Sequence, residues 1–121
     1  MSNEEKKYDL LERTAKFGED VIDLCRMIPK DIISNLLISQ LVRAATSVGA
    51  NYCEADCAET RKDFEHKIAI CKKESKESRH WLRMLLGATT EQAEEIQRLS
   101  KEANELNLIF SSIIRKSKTN S

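Results

Sequence analysis

The apolar residues of this chain recur at alternating steps of four and three, a period that fits a helix and excludes a strand. Leu10, Thr14, Phe17, Val21, Leu24 and Ile28 step by 4, 3, 4, 3 and 4, which keeps them on one side of a helix with 3.6 residues per turn. Three further stripes follow. They run through Ile33, Leu37, Leu41, Ala44, Val48, Asn51, Ala55 and Ala58, then Phe64, Ile68, Cys71, Ser75, Ser78, Leu82 and Leu85, then Ile96, Leu99, Ala103, Leu106, Phe110 and Ile113. The breaks between them carry their own signals. Ile28 precedes Pro29 and is pushed out of helical geometry, with either Asp31 as the next cap or Pro29 in the first turn. Thr60 with Asp63 and Thr89 with Gln92 read as capping boxes, and Gly87 reads as a residue just past a helix end. The spacing predicts helices over about 8–27, 32–58, 61–86 and 91–115. Connections this short force antiparallel neighbours, so residues 1–121 are expected to form one all-α, up-down four-helix bundle. Three Gly, one Pro and 5% aromatics leave little from which to build a β-fold.

Charge narrows the function classes. Lys plus Arg and Asp plus Glu each number 20, which disfavours both a wholly basic polyanion binder and an acidic disordered tail. The opening MSNEEKKYDL has no apolar core of the kind a secretory leader needs, and the lack of a run of about 20 apolar residues, with a mean hydropathy of −0.50, argues against a membrane span or a membrane partner. Cys25, Cys53, Cys57 and Cys71 fall within helical stretches rather than a compact knot. Reduced thiols and a cytoplasmic location are the expectation. The closing KSKTNS is polar and is expected to fray.

The second and third helices carry more apolar surface than one bundle can use. Arg43 is the only charged residue between Ile32 and Cys53. Ile38, Val42, Ala45, Gly49 and Tyr52 form a second face about 110° from the core stripe, and Ile70, Trp81 and Met84 lie about 120° from the seam of the third helix. Such surplus surface predicts a subunit interface, most simply in a homo-oligomer. The alternative is a monomer that embeds its second helix. Ala45, Gly49, Cys53 and Cys57 make a row of small residues along which another helix could approach closely. A polar stripe runs beside the apolar seam through Gln40, Arg43, Ser47, Asn51 and Glu54, matched on the third helix by Lys67, Glu74 and Glu77. Half-buried charges need partners, so Arg43 is expected to meet Glu74 or Glu77, and Glu54 to meet Lys67. The stripe reads as a buried network fixing register, or else as a polar pocket or channel.

Catalytic constellations are weak. Glu77-x-x-His80 and the near match Asp63-x-x-His66 resemble halves of a di-iron site. Both lie on one helix, 14 residues apart, or about 20 Å at 1.5 Å per residue, too far to share a metal. Cys53 and Cys57 could offer zinc two thiolates, but no second pair follows, and buried packing is the expected role. No phosphate loop, nucleophile elbow or Ser-His-Asp set is present. The expectation is a protein that is no enzyme and holds neither metal nor cofactor.

Charge distribution is more telling than its sum. Residues 31–60 hold one basic and four acidic residues, whereas 61–90 hold eight and four. Arg61, Lys72, Lys76, Arg79 and Arg83 share one face of the third helix, flanked by Lys62 and Lys73, and that face should point to solvent. A face nearly all of one sign could hold a nucleic-acid backbone through its phosphates, and an oligomer would repeat it as a basic belt. It could equally be a solvated surface.

One stretch carries a resemblance. Ile28-Pro29-Lys30, Gln40-Leu41-Val42-Arg43-Ala44-Ala45, Ser47-Val48-x-Ala50-Asn51-x-x-Glu54-Ala55, Arg61-Lys62-Asp63-Phe64 and Lys73-Glu74-x-x-Glu77 before Trp81-Leu82 cover about half the chain. In that order they resemble the bacterial four-helix-bundle family named after proteins encoded in 23S rRNA intervening sequences. The resemblance implies a closed homopentameric ring. The chain is also similar to the accessory subunit of diversity-generating retroelements, a basic ring engaging a reverse transcriptase and RNA, although this chain is neutral overall. Together these predict a homo-oligomeric interaction module that binds RNA or an RNA–protein partner, with a structural or protein-partner scaffold as the alternative.

Overall fold

The computed structural model describes the backbone of residues 3–119 and side chains from Leu10 to Thr119; Asn120 and Ser121 of the polar tail lie outside the described residues. Four helices follow one another, α1 (Asn3–Arg26), α2 (Ile32–Asp56), α3 (Arg61–Ala88) and α4 (Ala93–Thr119), and no strand occurs among the described residues. They pack as a bundle in which α2 touches α1 and α3, α3 touches α4, and α1 meets α4 only sparsely.

Each break has a chemical cause. After Arg26 the chain leaves α1 ahead of Pro29; the Ile28 N–H bonds the Cys25 carbonyl at 3.3 Å, and the Lys30 ammonium donates to the carbonyls of Cys25 and Ile28 at 2.5 and 2.9 Å, tying the connection to the helix end. Of the two starts proposed for α2, Asp31 is the cap: its Oδ1 accepts from the Ser34 N–H at 2.8 Å. Thr60 caps α3 by accepting from the Asp63 N–H at 3.0 Å. The next break differs from expectation. Gly87 has no positive φ, and α3 runs through it to Ala88, ending when the Thr89 N–H bonds the Leu85 carbonyl. The Thr89 hydroxyl donates to Gln92 Oε1 rather than accepting from a backbone N–H, so the second capping box does not form. The Lys116–Thr119 part of the tail continues α4 as helix.

The core follows the stripes closely. Phe17, Val21, Leu41, Val48, Ile68, Leu82, Leu85, Ile96, Leu99, Leu106 and Phe110 are all but fully buried. Tyr52 reaches across from α2 to α4, its ring centroid 6.2 Å from that of Phe110, and burial pushes its phenol up to about 12.

Leu37, Asn51, Ala58, Phe64 and Ile113 of the stripes are half-buried, and two expectations fail outright. Ile33 was expected in the core and is 64% exposed, while Ser34 is buried. Seven residues separate Ser34 from Leu41, which keeps them within about 20° of one another, whereas two steps of four rotate Ile33 about 80° outward. The small-residue row is the second. A Cβ on Gly49 would lie 3.4 Å from the Thr14 backbone, and one on Gly18 would lie 3.6 Å from Thr46 Cα. The close approach is therefore that of α1 within the protomer. Steps of four drift by about 40° each, so the row leaves α1 behind, and Cys53 and Cys57 are exposed rather than packed, unlike Cys25 and Cys71.

By length and composition α2 is apolar enough to cross a membrane, with a mean hydropathy of 1.2 over its best 18-residue window. The absence of an unbroken apolar run does not prevent this, because its Ser, Thr, Gly and Asn residues depress the mean only slightly. Only 28% of that window is buried within the protomer.

Candidate nucleic-acid interface

The basic stripe stands on α3, whose buried side (Ile68, Cys71, Ser75, Ser78, Leu82, Leu85) faces the core. Side chains opposite that seam must then point outward, and Arg61, Lys62, Lys72, Lys73, Lys76, Arg79 and Arg83 are all exposed. They do not stand on a flat surface. The neighbouring α4 makes a groove of about 870 Å³, in which Lys62, Lys72, Lys73 and Lys76 face Asn107, Ile114 and Lys118. A second cleft continues along the same seam through Lys76, Arg79, His80, Arg83, Gln97 and Ser100. Because Lys76 and His80 line both, the two clefts form one path. Arg61, at the first turn of α3, lies outside both linings.

Hydrogen bonds hold the walls together. Asn107 donates to the Lys72 carbonyl at 2.9 Å, and Arg79 donates to Asn104 Oδ1 at 3.0 Å. Lys62, Lys72, Lys73, Lys76 and Arg83 form no ion pair with a described carboxylate, so their charge is offered to solvent. Two acids also line the groove. Glu77 accepts from Trp81 Nε1 at 3.2 Å and pairs with Arg43. The Trp81 hydrogen bond, followed by the Arg43 charge, outweighs desolvation and holds its carboxyl below the usual range. Glu65 keeps one oxygen buried without a hydrogen-bond partner.

The polar stripe between α2 and α3 brings together the residues expected there. Arg43 reaches Glu74 at 3.1 Å as well as Glu77, and Lys67 reaches Glu54 at 3.4 Å. Gln40 accepts from Arg43, and Asn51 donates to its own helix at Ser47. Within the protomer this is not a buried network: Glu74 is buried, whereas Gln40, Arg43 and Glu54 are exposed and Asn51, Lys67 and Glu77 are half-buried.

The expected interface residues separate into two groups. Ala45 and Tyr52 are 0% and 6% exposed, closed inside the protomer by α1 and α4, and present no surface to a second copy. Ile38, Val42, Gly49, Ile70 and Trp81 are half-buried, and Met84 is exposed. The barest apolar surface lies at the start of α2, where Ile32, Ile33 and Leu36 are 80%, 64% and 67% exposed. There Ile32, Ile33 and Leu37 share a cleft with Met84 and Gly87 of α3.

Among the described residues no three His, Cys, Asp or Glu side chains are grouped to hold a metal. His66 and His80 instead share the groove with the lysines. Sequence reasoning missed the α4 wall. Asn107, Ile114 and Lys118 step by 7 and 4 beside the Leu106–Phe110–Ile113 seam, and that offset stripe is the signal that would have found the wall.

A comparison with curated proteins returns no match. A solved structure of a protein with unknown function from the S23 ribosomal protein family of Bacteroides thetaiotaomicron VPI-5482 is similar, with a TM-score of 0.79 and 27% identity over 91% of this chain and 98% of that one. The family model of the 23S rRNA-intervening sequence protein matches residues 6–112. A match that reaches into all four helices and covers most of the sequence places the chain: it belongs to the 23S rRNA-intervening sequence protein family.

Proposed function

We propose that this protein is a non-enzymatic, homo-oligomeric interaction module of the cytoplasm that binds RNA or an RNA–protein partner through the basic face of α3. The observation that carries the reading is the continuous α3/α4 path, in which Lys62, Lys72, Lys73 and Lys76 line the main groove and Arg83 the adjoining cleft. Charges offered in this way bind a phosphate backbone by releasing its counterions. The family's name, which refers to an rRNA insertion, supports RNA as the polyanion. The oligomer is supported by the exposed Ile32, Ile33, Leu36 and Met84, surface that a second copy would remove from water. A closed ring, five-fold by the resemblance of the sequence, would set the path around its rim as a belt.

Binding of the full chain to labelled RNA at 50 and 200 mM salt tests the RNA reading. With four to six phosphates engaged, affinity should fall about 10²- to 10³-fold between the two. Joint replacement of Lys76, Arg79 and Arg83 by Glu should abolish binding. Absence of binding at 50 mM would leave a scaffold for protein partners as the function. Light scattering on the eluting protein tests the oligomer, and a protomer mass at micromolar concentration would overturn it.

A further inference from the structure

We infer that the ligand of the α3/α4 path is double-stranded RNA, gripped by its sugar–phosphate backbone without base readout. This rests on the RNA-binding reading above and names the form of RNA that the same site takes.

Three observations carry it. Single-stranded RNA is held largely by stacking its bases on aromatic rings, each base contributing about 1–3 kcal/mol, and the path offers almost no such platform. Among the described aromatics, Phe17, Tyr52 and Phe110 are buried. Phe64 and Trp81 are half-buried, and neither lines the path. The rings in the path are the imidazoles of His66 and His80, the latter 5.0 Å from Trp81. Second, the walls are two long helices, and no described residue has a positive φ. Such walls present one continuous open groove and no loop to clamp individual splayed bases.

The third observation is the spacing of charge. Lys72, Lys76, Arg79 and Arg83 follow at intervals of three and four residues, or about 4.5–6 Å along the axis, and Lys62 to Arg83 spans about 32 Å. An RNA duplex is A-form and presents its phosphates and 2′-hydroxyls along the edges of a wide, shallow minor groove. A DNA duplex presents one charge per about 1.7 Å of axis against 3.4 Å for one strand, with about 0.9 rather than 0.7 per contact in the salt slope, and an RNA duplex likewise carries two charged strands to one. With stacking absent, the higher charge density decides, and the duplex binds more tightly.

Fluorescence anisotropy with the full chain is the test, using a 20-base-pair RNA duplex and a 20-nucleotide oligouridine at 50 and 200 mM salt. The duplex should bind at least about tenfold tighter at 50 mM, with the steeper salt dependence, and two duplexes of unrelated sequence should agree within about threefold. Joint K72E, K76E and R83E should remove duplex binding. These exposed side chains make no hydrogen bond or ion pair within the described chain, so helicity should be unchanged. Ala69, exposed in the groove floor, offers the converse test: A69W adds a stacking platform and should tighten oligouridine by about 5- to 150-fold while leaving the duplex unimproved. Oligouridine bound as tightly as the duplex, a strong preference between duplexes, or duplex binding indifferent to K72E/K76E/R83E would each overturn the inference and leave RNA binding intact. Failure of both ligands to bind at 50 mM would overturn the functional reading itself.

Discussion

The start of α2 and the outer face of α3 are both surfaces that the bundle leaves over, yet they ask for different things. At the first, Ile32, Ile33 and Leu36 stand in water, and what stabilises them is cover, at about 25 cal/mol per Å² removed from solvent. At the second, Lys62, Lys72, Lys73, Lys76 and Arg83 form no ion pair with a described carboxylate and outnumber the two lining acids, Glu65 and Glu77, and what stabilises them is an incoming negative charge, screened over about 10 Å at 0.1 M salt. The difference separates the two proposed functions of one short chain. Association through α2 should be largely indifferent to salt, and binding along α3 should be governed by it.

The largest perturbation removes the scaffold beneath both surfaces. Phe110 is fully buried and packs on Tyr52 at the bundle centre. Phe110→Ala should cost about 3–5 kcal/mol of unfolding free energy, read as a lower urea midpoint, and both surfaces should lose function together. Next is the apolar end alone. Ile33→Glu with Leu36→Glu should reduce the mass seen by light scattering to that of one protomer, because each apolar side chain that loses its cover forfeits about 1.5–3 kcal/mol. Helicity should be retained. An unchanged mass would mean that this end is not the contact, and the contrast between the two surfaces would fail.

A smaller effect sharpens the comparison from within α3. Gly87 is helical, and a Cβ there would meet nothing within 4 Å. Gly87→Ala should raise stability by about 0.5–1 kcal/mol without altering the charge of the path.

The smallest concerns the sparse α1/α4 seam, clasped by Arg13 with Glu102 and Glu105, and by Arg98 with Asp20 and Glu95. Hydrogen bonding by Arg98 holds the Glu95 carboxyl below its usual range. Asp20 is also lowered, its hydrogen bonds to Lys16 and Arg98 together outweighing desolvation. A carboxyl lowered in the folded state contributes stability that is present above its unfolded pKa and lost as pH falls through the folded one. The urea midpoint should therefore decline as pH falls from about 5 to 3, by no more than about 1 kcal/mol per pair, and Arg98→Ala should flatten that decline.

Much of this was legible in the chain. All six stripe residues of α1 are buried, as are Ile96, Leu99, Ala103, Leu106 and Phe110 of α4, because a period of 3.5 is a local property that each helix carries by itself. The caps at Thr60 and Asp31 were legible for the same reason: donor and acceptor lie three residues apart. The partners of Arg43 could be named because short loops leave α2 and α3 only an antiparallel arrangement. Reasoning failed where rotation accumulated. Ile33, Cys53 and Cys57 were placed by steps of four, and the drift of about 40° per step carried them out of the faces assigned to them.

The sequence by itself determined four helices, their core stripes and a one-signed face on α3, since periodicity and charge order are written along the chain. Only the tertiary structure decided that Ala45 and Tyr52 lie inside the protomer, that the bare apolar surface sits at the start of α2, and that α4 turns the basic face into a path. Those outcomes depend on how one helix is rotated and offset against another, a relation set by side-chain interdigitation across the seam and carried by neither helix alone.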